Sequence, residues 1–386
     1  DWSAVRTRLR PHAERARSIG ELRGAVRAML ATLGQSHFTL FTRGLPTRDP
    51  LGDARAADSV ADVGLDVRLI GDSLVVMRVE PVGGARDAGV RCGWILERID
   101  TLSLKVFVEA LHAEESRLSV ELRARNRTLR LLGGPPGTTV GLTLRDGTGT
   151  AHPLTVQRRR TAGIAVRFGN LPLVHARLEH SQRRTPHGST AQLLRFNTWM
   201  FPLMPGIDSA LDAASADGIV IDLRGNAGGV REMIIGLARH FVDTTVTLGT
   251  MRFRHADVPN VATPRRTTND GRPARVQRGP LAILVDELSG SASENFAGSM
   301  QAIGRARVFG VRTAGGVLPA ATTPLPNGDV LMHAVADFLT AAGTRLEGRG
   351  VIPDEVVPLR REDLLAGRDA VLEAALRWID VARPQR

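Results

Sequence analysis

Lysine is almost missing from this chain. Of its 51 basic residues only Lys105 is lysine, and the rest are arginine. Tyrosine is absent, aromatics make up 4% of residues, and Cys92 is the sole cysteine. One cysteine excludes an internal disulfide. Its position before Gly93 and Trp94 predicts a buried structural thiol. With so few rings, Leu, Val, Ile and Ala must fill the cores. No apolar run is long enough to span a bilayer. No Cys/His group has metal-ligand spacing, and neither the Walker nor the dinucleotide glycine pattern occurs. The sequence therefore predicts no metal and no cofactor. The net charge of +11 is of the size that suits nucleic acid. The arginines, however, are scattered among acids, and Arg158–Arg160 reads as the solvated end of a strand. No nucleic-acid partner is expected.

The 386 residues, 42% of them hydrophobic, suffice for two or three globular domains. Residues 1–57 open helically, with Val5 and Leu9 one turn apart. Ile19, Leu22, Val26, Met29, Leu30 and Leu33 follow at helical spacing. Gly34 ends that helix, and Gln35 to Phe41 reads as an extended, alternating piece holding Ser36 and His37. A Gly-, Pro- and Asp-rich linker is expected from Gly44 to Asp53.

Residues 58–160 read as a separate β-rich module. Expected strands are Leu65–Ile70, Leu74–Val79, Ile95–Ile99, Thr138–Leu144 and His152–Gln157, with residues 105–133 as an insertion. Two stretches resemble a PDZ domain. Gly64-Leu65-Asp66-Val67 is similar to the carboxylate-binding loop. Ala88-Gly89-Val90-Arg91-Cys92-Gly93-Trp94-Ile95-Leu96 is similar to the Ala-Gly-Leu-x-x-Gly-Asp-x-Ile pattern, with Trp94 at the usual Asp. The resemblance implies that an extended or C-terminal peptide is held by strand addition, its carboxylate on the amides of Gly64, Leu65, Asp66 and Val67.

Residues 161–386 alternate strands with helices, which predicts an α/β layer structure. The buried run Gly218–Arg224 breaks at Gly225-Asn226-Ala227-Gly228-Gly229, and a helix is expected from Val230 to Phe241. A second buried run, Leu281–Asp286, leads into a helix from about Ser291 to Ile303. A third strand is expected at Arg307–Gly310. Ser291 thus sits between a buried strand and a helix N-terminus, where free amides and a partial positive charge gather. A hydroxyl there can attack a carbonyl while nearby amides receive the oxyanion. Taken alone, Ser291 with Glu294 fits a capping box. It does not fit the α/β-hydrolase elbow, because Ser293 stands where glycine is required.

Asp222-Leu223-Arg224-Gly225-Asn226-Ala227-Gly228-Gly229 and Ser291-Ala292-Ser293-Glu294, followed by Gly304-Arg305-Ala306 and Thr313-Ala314-Gly315-Gly316, together resemble one family. It is the serine peptidase family that includes the carboxyl-terminal processing proteases and the core of tricorn protease. The resemblance implies a mixed α/β, ClpP/crotonase-like core with an inserted PDZ-like domain and an N-terminal helical segment. It implies Ser291 as nucleophile and an oxyanion hole from Ala292 and one of Gly228 or Gly229. The processing-protease branch uses a lysine base in a Thr-Phe-Gly-Lys-Gly turn. Here that position is Gly316, and Lys105 lies in the β-rich module, so another base is required.

Leu33-Gly34-Gln35-Ser36-His37 resembles the Gly-x-x-Ser-His element of the tricorn-like branch. Leu346-Glu347-Gly348-Arg349-Gly350-Val351-Ile352-Pro353-Asp354 resembles the stretch holding its glutamate. The resemblance implies His37 as base, oriented by Ser36 and Glu347. The expected function is a serine endopeptidase acting on a protein or peptide substrate. The alternative is a non-catalytic binding protein for an apolar ligand or peptide on the same fold. Such proteins are mostly exported in bacteria, so a periplasmic or secreted location is expected. The chain begins Asp-Trp-Ser and is expected to be a mature or trimmed form without its signal peptide.

Overall fold

The structure is a computed structural model that describes residues 1–42, 61–112, 117–167 and 173–382. The expected linker from Gly44 to Asp53 lies outside them. The chain divides into two compact units. The larger comprises Asp1–Thr47, Val166–Glu355 and Ile379–Arg386, and the smaller Arg48–Ala165 and Val356–Trp378. Residues 356–378 thus group with the smaller unit, which a linear reading of domain boundaries does not foresee.

The larger unit is built on a six-stranded sheet. In order across it the strands are Leu178–Arg184, Thr190–Phe196, Gly218–Asp222, Leu281–Val285, Arg307–Gly310 and Glu355–Val356. The first pair is antiparallel, and the four strands from Thr190–Phe196 to Arg307–Gly310 run parallel. Every residue of Gly218–Asp222 and Leu281–Val285 is buried. That is why these segments read as continuous apolar runs rather than alternating ones. Helices Met204–Asp212, Glu232–Ala238 and Ala292–Ala302 pack on the sheet through a core that includes Trp199, Ile207, Leu237 and Phe296.

The parallel strands end where the expected ones do, within a residue or two. The first crossover helix does not: it covers Glu232–Ala238 only, against the expected Val230–Phe241. Val230 is held out because its N–H donates to the Trp199 carbonyl at 2.6 Å, and His240 and Phe241 finish the helix in tight i→i−3 turns. Helix Ala292–Ala302 begins one residue after the expected start, with Ser291 outside it.

The N-terminal arm is a helical hairpin, Trp2–Glu14 and Ile19–Ala31, followed by a short strand Thr39–Phe41. Ser18 caps the second helix on the Glu21 N–H at 3.2 Å. The expected extended piece from Gln35 is shorter than the alternation implied. Ser36 and His37 lie in a bend before the strand, and His37 has φ 59°. The strand pairs antiparallel with Val330–Ala334, so Leu40 faces Leu331. Arg23 adds a two-pronged ion pair to the fully buried Asp329, at 2.8 and 2.6 Å.

The smaller unit holds a sheet in the order Leu65–Ile70, Ser73–Val79, Ile95–Ile99, Thr139–Arg145 and Ala151–Gln157, all neighbours antiparallel. Each expected strand is present. The expected insertion is two helices, Leu104–His112 and Arg117–Leu132. Two expectations fail here. Arg158 is not a solvated end: its guanidinium donates to the carbonyls of Leu131, Leu132 and Thr139. Cys92 is only half-buried. No helix among the described residues is long and apolar enough to cross a membrane.

Candidate active site

Ser291 occupies the junction between strand Leu281–Val285 and helix Ala292–Ala302 with φ 52° and ψ −115°. A non-glycine residue held there costs about 1–3 kcal/mol and persists only where its surroundings over-determine it. Glu294 supplies much of that determination. It is wholly buried, and its carboxylate gathers the backbone N–H groups of Ser291 at 3.2 Å, Gly315 at 2.7 Å and Gly316 at 2.9 Å, with the Thr313 hydroxyl at 2.5 Å. Burial pushes the Glu294 carboxyl up, against the pull of these four donors. The glutamate therefore joins the serine bend to the Thr313–Gly316 turn. Ser291 closes the same junction from the other side by donating its N–H to the Gly316 carbonyl at 2.8 Å.

Gly228 lies against this serine. A Cβ at Gly228, where φ is 106°, would come 2.6 Å from Ser291 Cβ and 2.9 Å from the Ala292 nitrogen. Only glycine allows that approach. At Gly229 a Cβ would meet the Trp199 carbonyl at 2.3 Å. The Gly228 N–H already donates to Asn226 Oδ1 at 2.9 Å. The Ala292 and Gly229 N–H groups make no such bond among the described residues.

Two further residues fix this turn, and of these sequence reasoning passed over Asn226. Asn226 is fully buried, and its Nδ2 donates to the Phe196 carbonyl at 2.9 Å. Ser293 accepts from Trp199 Nε1 and donates to the Asn226 carbonyl, each at 2.8 Å. An asparagine within a glycine turn was the available signal. Asp222 and Arg224 form an ion pair, with contacts at 2.9 and 2.7 Å. Burial opposes ionisation of Asp222, but Arg224 and Arg195 outweigh it and hold the carboxyl well below its usual range.

The second half of the site comes from the arm. Ser36 Oγ lies 2.7 Å from His37 Nδ1 and donates to Glu347 Oε2 at 2.9 Å. The Ser36 and Val317 N–H groups also donate to Glu347, at 2.7 and 2.9 Å. Glu347 is 7% exposed. Burial pushes the His37 imidazole below its ordinary value, and the Glu347 charge only partly offsets this.

His37 and Ser291 share no direct hydrogen bond, but the two halves meet at Gly316. Its carbonyl holds Ser291, while a Cβ on it would lie 3.3 Å from Ser36 Cβ and 3.5 Å from Ser36 Oγ. Gly316, the position expected from the resemblance to correspond to the processing-protease lysine, thus lies beside Ser36. Lys105 is largely exposed, on a helix of the smaller unit, 3.9 Å from Glu109.

In the smaller unit, Gly64 has φ 79° and its N–H is taken by Asp62 Oδ1 at 2.7 Å. Leu65 and Val67 are buried in that unit's core. Asp66 pairs with Arg68 at 2.8 Å and Arg125 at 3.0 Å. Burial works against its charge, but the two guanidinium groups hold its carboxyl well below the usual range. Leu65–Ile70 is an end strand of its sheet. Among the described residues no cluster of His, Cys, Asp and Glu could hold a metal ion.

Comparison with known proteins agrees with this geometry. The model of "Peptidase family S41" matches residues 201–357. "Carboxyl-terminal-processing peptidase 2, chloroplastic" of Arabidopsis thaliana is 28% identical over 86% of this chain and 60% of its own length. A "Probable CtpA-like serine protease" of Staphylococcus haemolyticus is 27% identical over 61% of this chain. The chain spans only 43% of that relative. The solved "Photosystem II D1 C-terminal processing protease" superposes with a TM-score of 0.57 at 22% identity, covering 97% of this chain and 94% of that one. Over residues 201–357 the chain matches the model of peptidase family S41, and it is similar to serine peptidases of the carboxyl-terminal processing type.

Proposed function

We propose that the chain is a serine endopeptidase working through a Ser291 acyl-enzyme, with His37 in place of the family's lysine. The observation that supports this most is the hydrogen-bonded series His37–Ser36–Glu347 abutting Gly316, the residue whose carbonyl holds Ser291. An imidazole used as base needs its tautomer and angle fixed and its transient charge offset. Ser36 and Glu347 do both. Burial lowers the His37 pKa, so the ring is neutral and able to accept a proton at neutral pH.

In the proposed cycle, substrate draws the His37 ring onto the Ser291 hydroxyl. The serine oxygen attacks the peptide carbonyl as its proton passes to His37. The Ala292 and Gly229 amides receive the oxyanion, with Gly228 packed against the nucleophile. Protonated His37 gives its proton to the leaving amine, and the C–N bond breaks. Water, deprotonated by His37, then releases the acyl group and restores Ser291.

The larger unit is a ClpP/crotonase-like core in this reading, and the smaller one a PDZ-like module. The module takes an extended or C-terminal peptide along the free edge of Leu65–Ile70, with the amides after Gly64 facing its carboxylate. The matching of bacterial and chloroplast processing peptidases supports an exported, periplasmic or secreted enzyme.

A fluorophosphonate probe tests the chemistry. Labelling of the wild-type chain should vanish in Ser291→Ala and fall steeply in His37→Ala. Equal labelling in all three proteins would remove the mechanism.

A further inference from the structure

A second opening lies in the larger unit, between the antiparallel pair Leu178–Arg184 and Thr190–Phe196 and the helix Met204–Asp212. It is a cleft of about 480 Å³, within the range of small-ligand sites. Its lining is mostly apolar, from Leu178 of the strand and Gly206, Ala210 and Ala213 of the helical segment, with Ser209 beside them. His180, exposed, stands at the rim.

The unusual member is Gln192. It lines the cleft at 5% exposure, and its carboxamide has no hydrogen-bond partner among the described residues. On the same face of its strand Leu194 and Phe196 are core residues. The Gln192 amide atoms are not fully occluded, so the carboxamide of this otherwise buried side chain opens on the cleft and is available to a ligand. No acidic or basic side chain lines the cleft apart from the His180 imidazole, so a neutral ligand suits it.

A carboxamide offers a donor and an acceptor side by side. Its complement is another amide. In an extended chain the N–H and C=O of one residue point the same way, which is how paired antiparallel residues exchange both bonds. The apolar walls suit the small side chains on either side of such a residue. We propose that this cleft is an exosite for a neutral, extended stretch of polypeptide, gripped by Gln192 through one residue's main chain. Its identification as a substrate exosite rests on the peptidase reading, whereas the binding itself does not.

The test uses the full chain carrying Ser291→Ala, so that the probe is not consumed, and the blocked peptide acetyl-Ala-Val-Ala-Val-Ala-amide with a neutral fluorophore, followed by anisotropy. Adding Gln192→Leu should weaken binding at least about tenfold, and Ala213→Phe, which fills the cleft, should abolish it. Gln192→Leu should also keep a melting temperature at or above that of the parent protein; this shows that lost binding is not lost folding. Absence of binding without these changes, or equal binding with Gln192→Leu, overturns the proposal. So does equally tight binding of N-acetylalanine amide, which would mark a site for small free amides. Fluorophosphonate labelling of the wild-type chain separates the two readings. Gln192-dependent binding without labelling removes the peptidase and leaves the cleft. Labelling with Gln192-independent binding removes the cleft alone.

Discussion

Ser291 adopts a backbone conformation that favours glycine, and it is nonetheless serine. Burial of Glu294 and its four donors hold the bend in place, so the strain is tolerated where a hydroxyl is needed. Ser291→Gly should therefore raise stability by about 1 kcal/mol, the relieved strain less the flexibility gained by the unfolded chain, while eliminating activity. A urea unfolding midpoint beside a peptidase assay measures both. At His37 the signs are opposed: burial lowers the pKa and Glu347 raises it. Because the neutral ring is the active form, the acidic limb of the kcat/KM profile should lie below histidine's ordinary value of about 6.5. Glu347→Gln removes the raising charge and should move that limb to still lower pH. It should also reduce kcat, because its NH₂ group faces donors where the carboxylate accepted from Ser36 and Val317. An unmoved limb would separate Glu347 from the base. Little of this was legible in the sequence. Ser291 with Glu294 read as a capping box, and the Glu294 side chain does reach the Ser291 N–H. The further grip on Thr313, Gly315 and Gly316 joins residues about twenty positions apart, and no local pattern encodes it.

At the scale of elements, the proposed base lies on an arm whose anchors lie far along the chain. Thr39–Phe41 pairs with Val330–Ala334, and Arg23 of the second helix reaches the buried Asp329. Both anchors are on one hairpin, so the arm and the hairpin position His37 together. Arg23→Ala should leave the core sheet folded but loosen the arm. Misplacement of a catalytic group by about 1 Å can reduce the rate up to about 100-fold. The expected result is a lower kcat with little change in KM and an intact far-UV CD spectrum; an unchanged kcat would show that strand pairing alone holds the arm. The helical periodicity of Ile19, Leu22, Val26, Met29 and Leu30 announced the helix itself. It could not announce the bend at Ser36, which depends on Glu347 accepting the Ser36 N–H. The parallel strands were legible for the opposite reason. Buried on both faces, Gly218–Asp222 and Leu281–Val285 leave an uninterrupted apolar signature that needs no partner to be recognised.

For the molecule as a whole, lysine is scarce: Lys105, the single one in this sequence, is largely exposed beside Glu109. The proposed mechanism therefore uses no amine base. Lys105→Met should produce a lysine-free protein with stability within about 0.5 kcal/mol of the original and unchanged hydrolysis. Loss of hydrolysis would reinstate the amine. Some of the arginines serve the fold: Arg158 and Arg224 bind main chain and carboxylate inside their units, which local charge counting cannot reveal.

By itself the sequence determined the buried parallel strands from Gly218, Leu281 and Arg307, five strands of the smaller unit and the second helix of the arm, through apolar runs, periodicity and glycine punctuation. Its single cysteine leaves no partner for a disulfide within these residues. The tertiary structure alone decided that Ser36 fills the space beside Gly316, that the Gly228 amide is already bound by Asn226, and that Gln192 faces a cleft without a partner. Those are matters of van der Waals contact and hydrogen bonding between distant segments. Such contacts are set by packing, and periodicity along a chain carries no record of them.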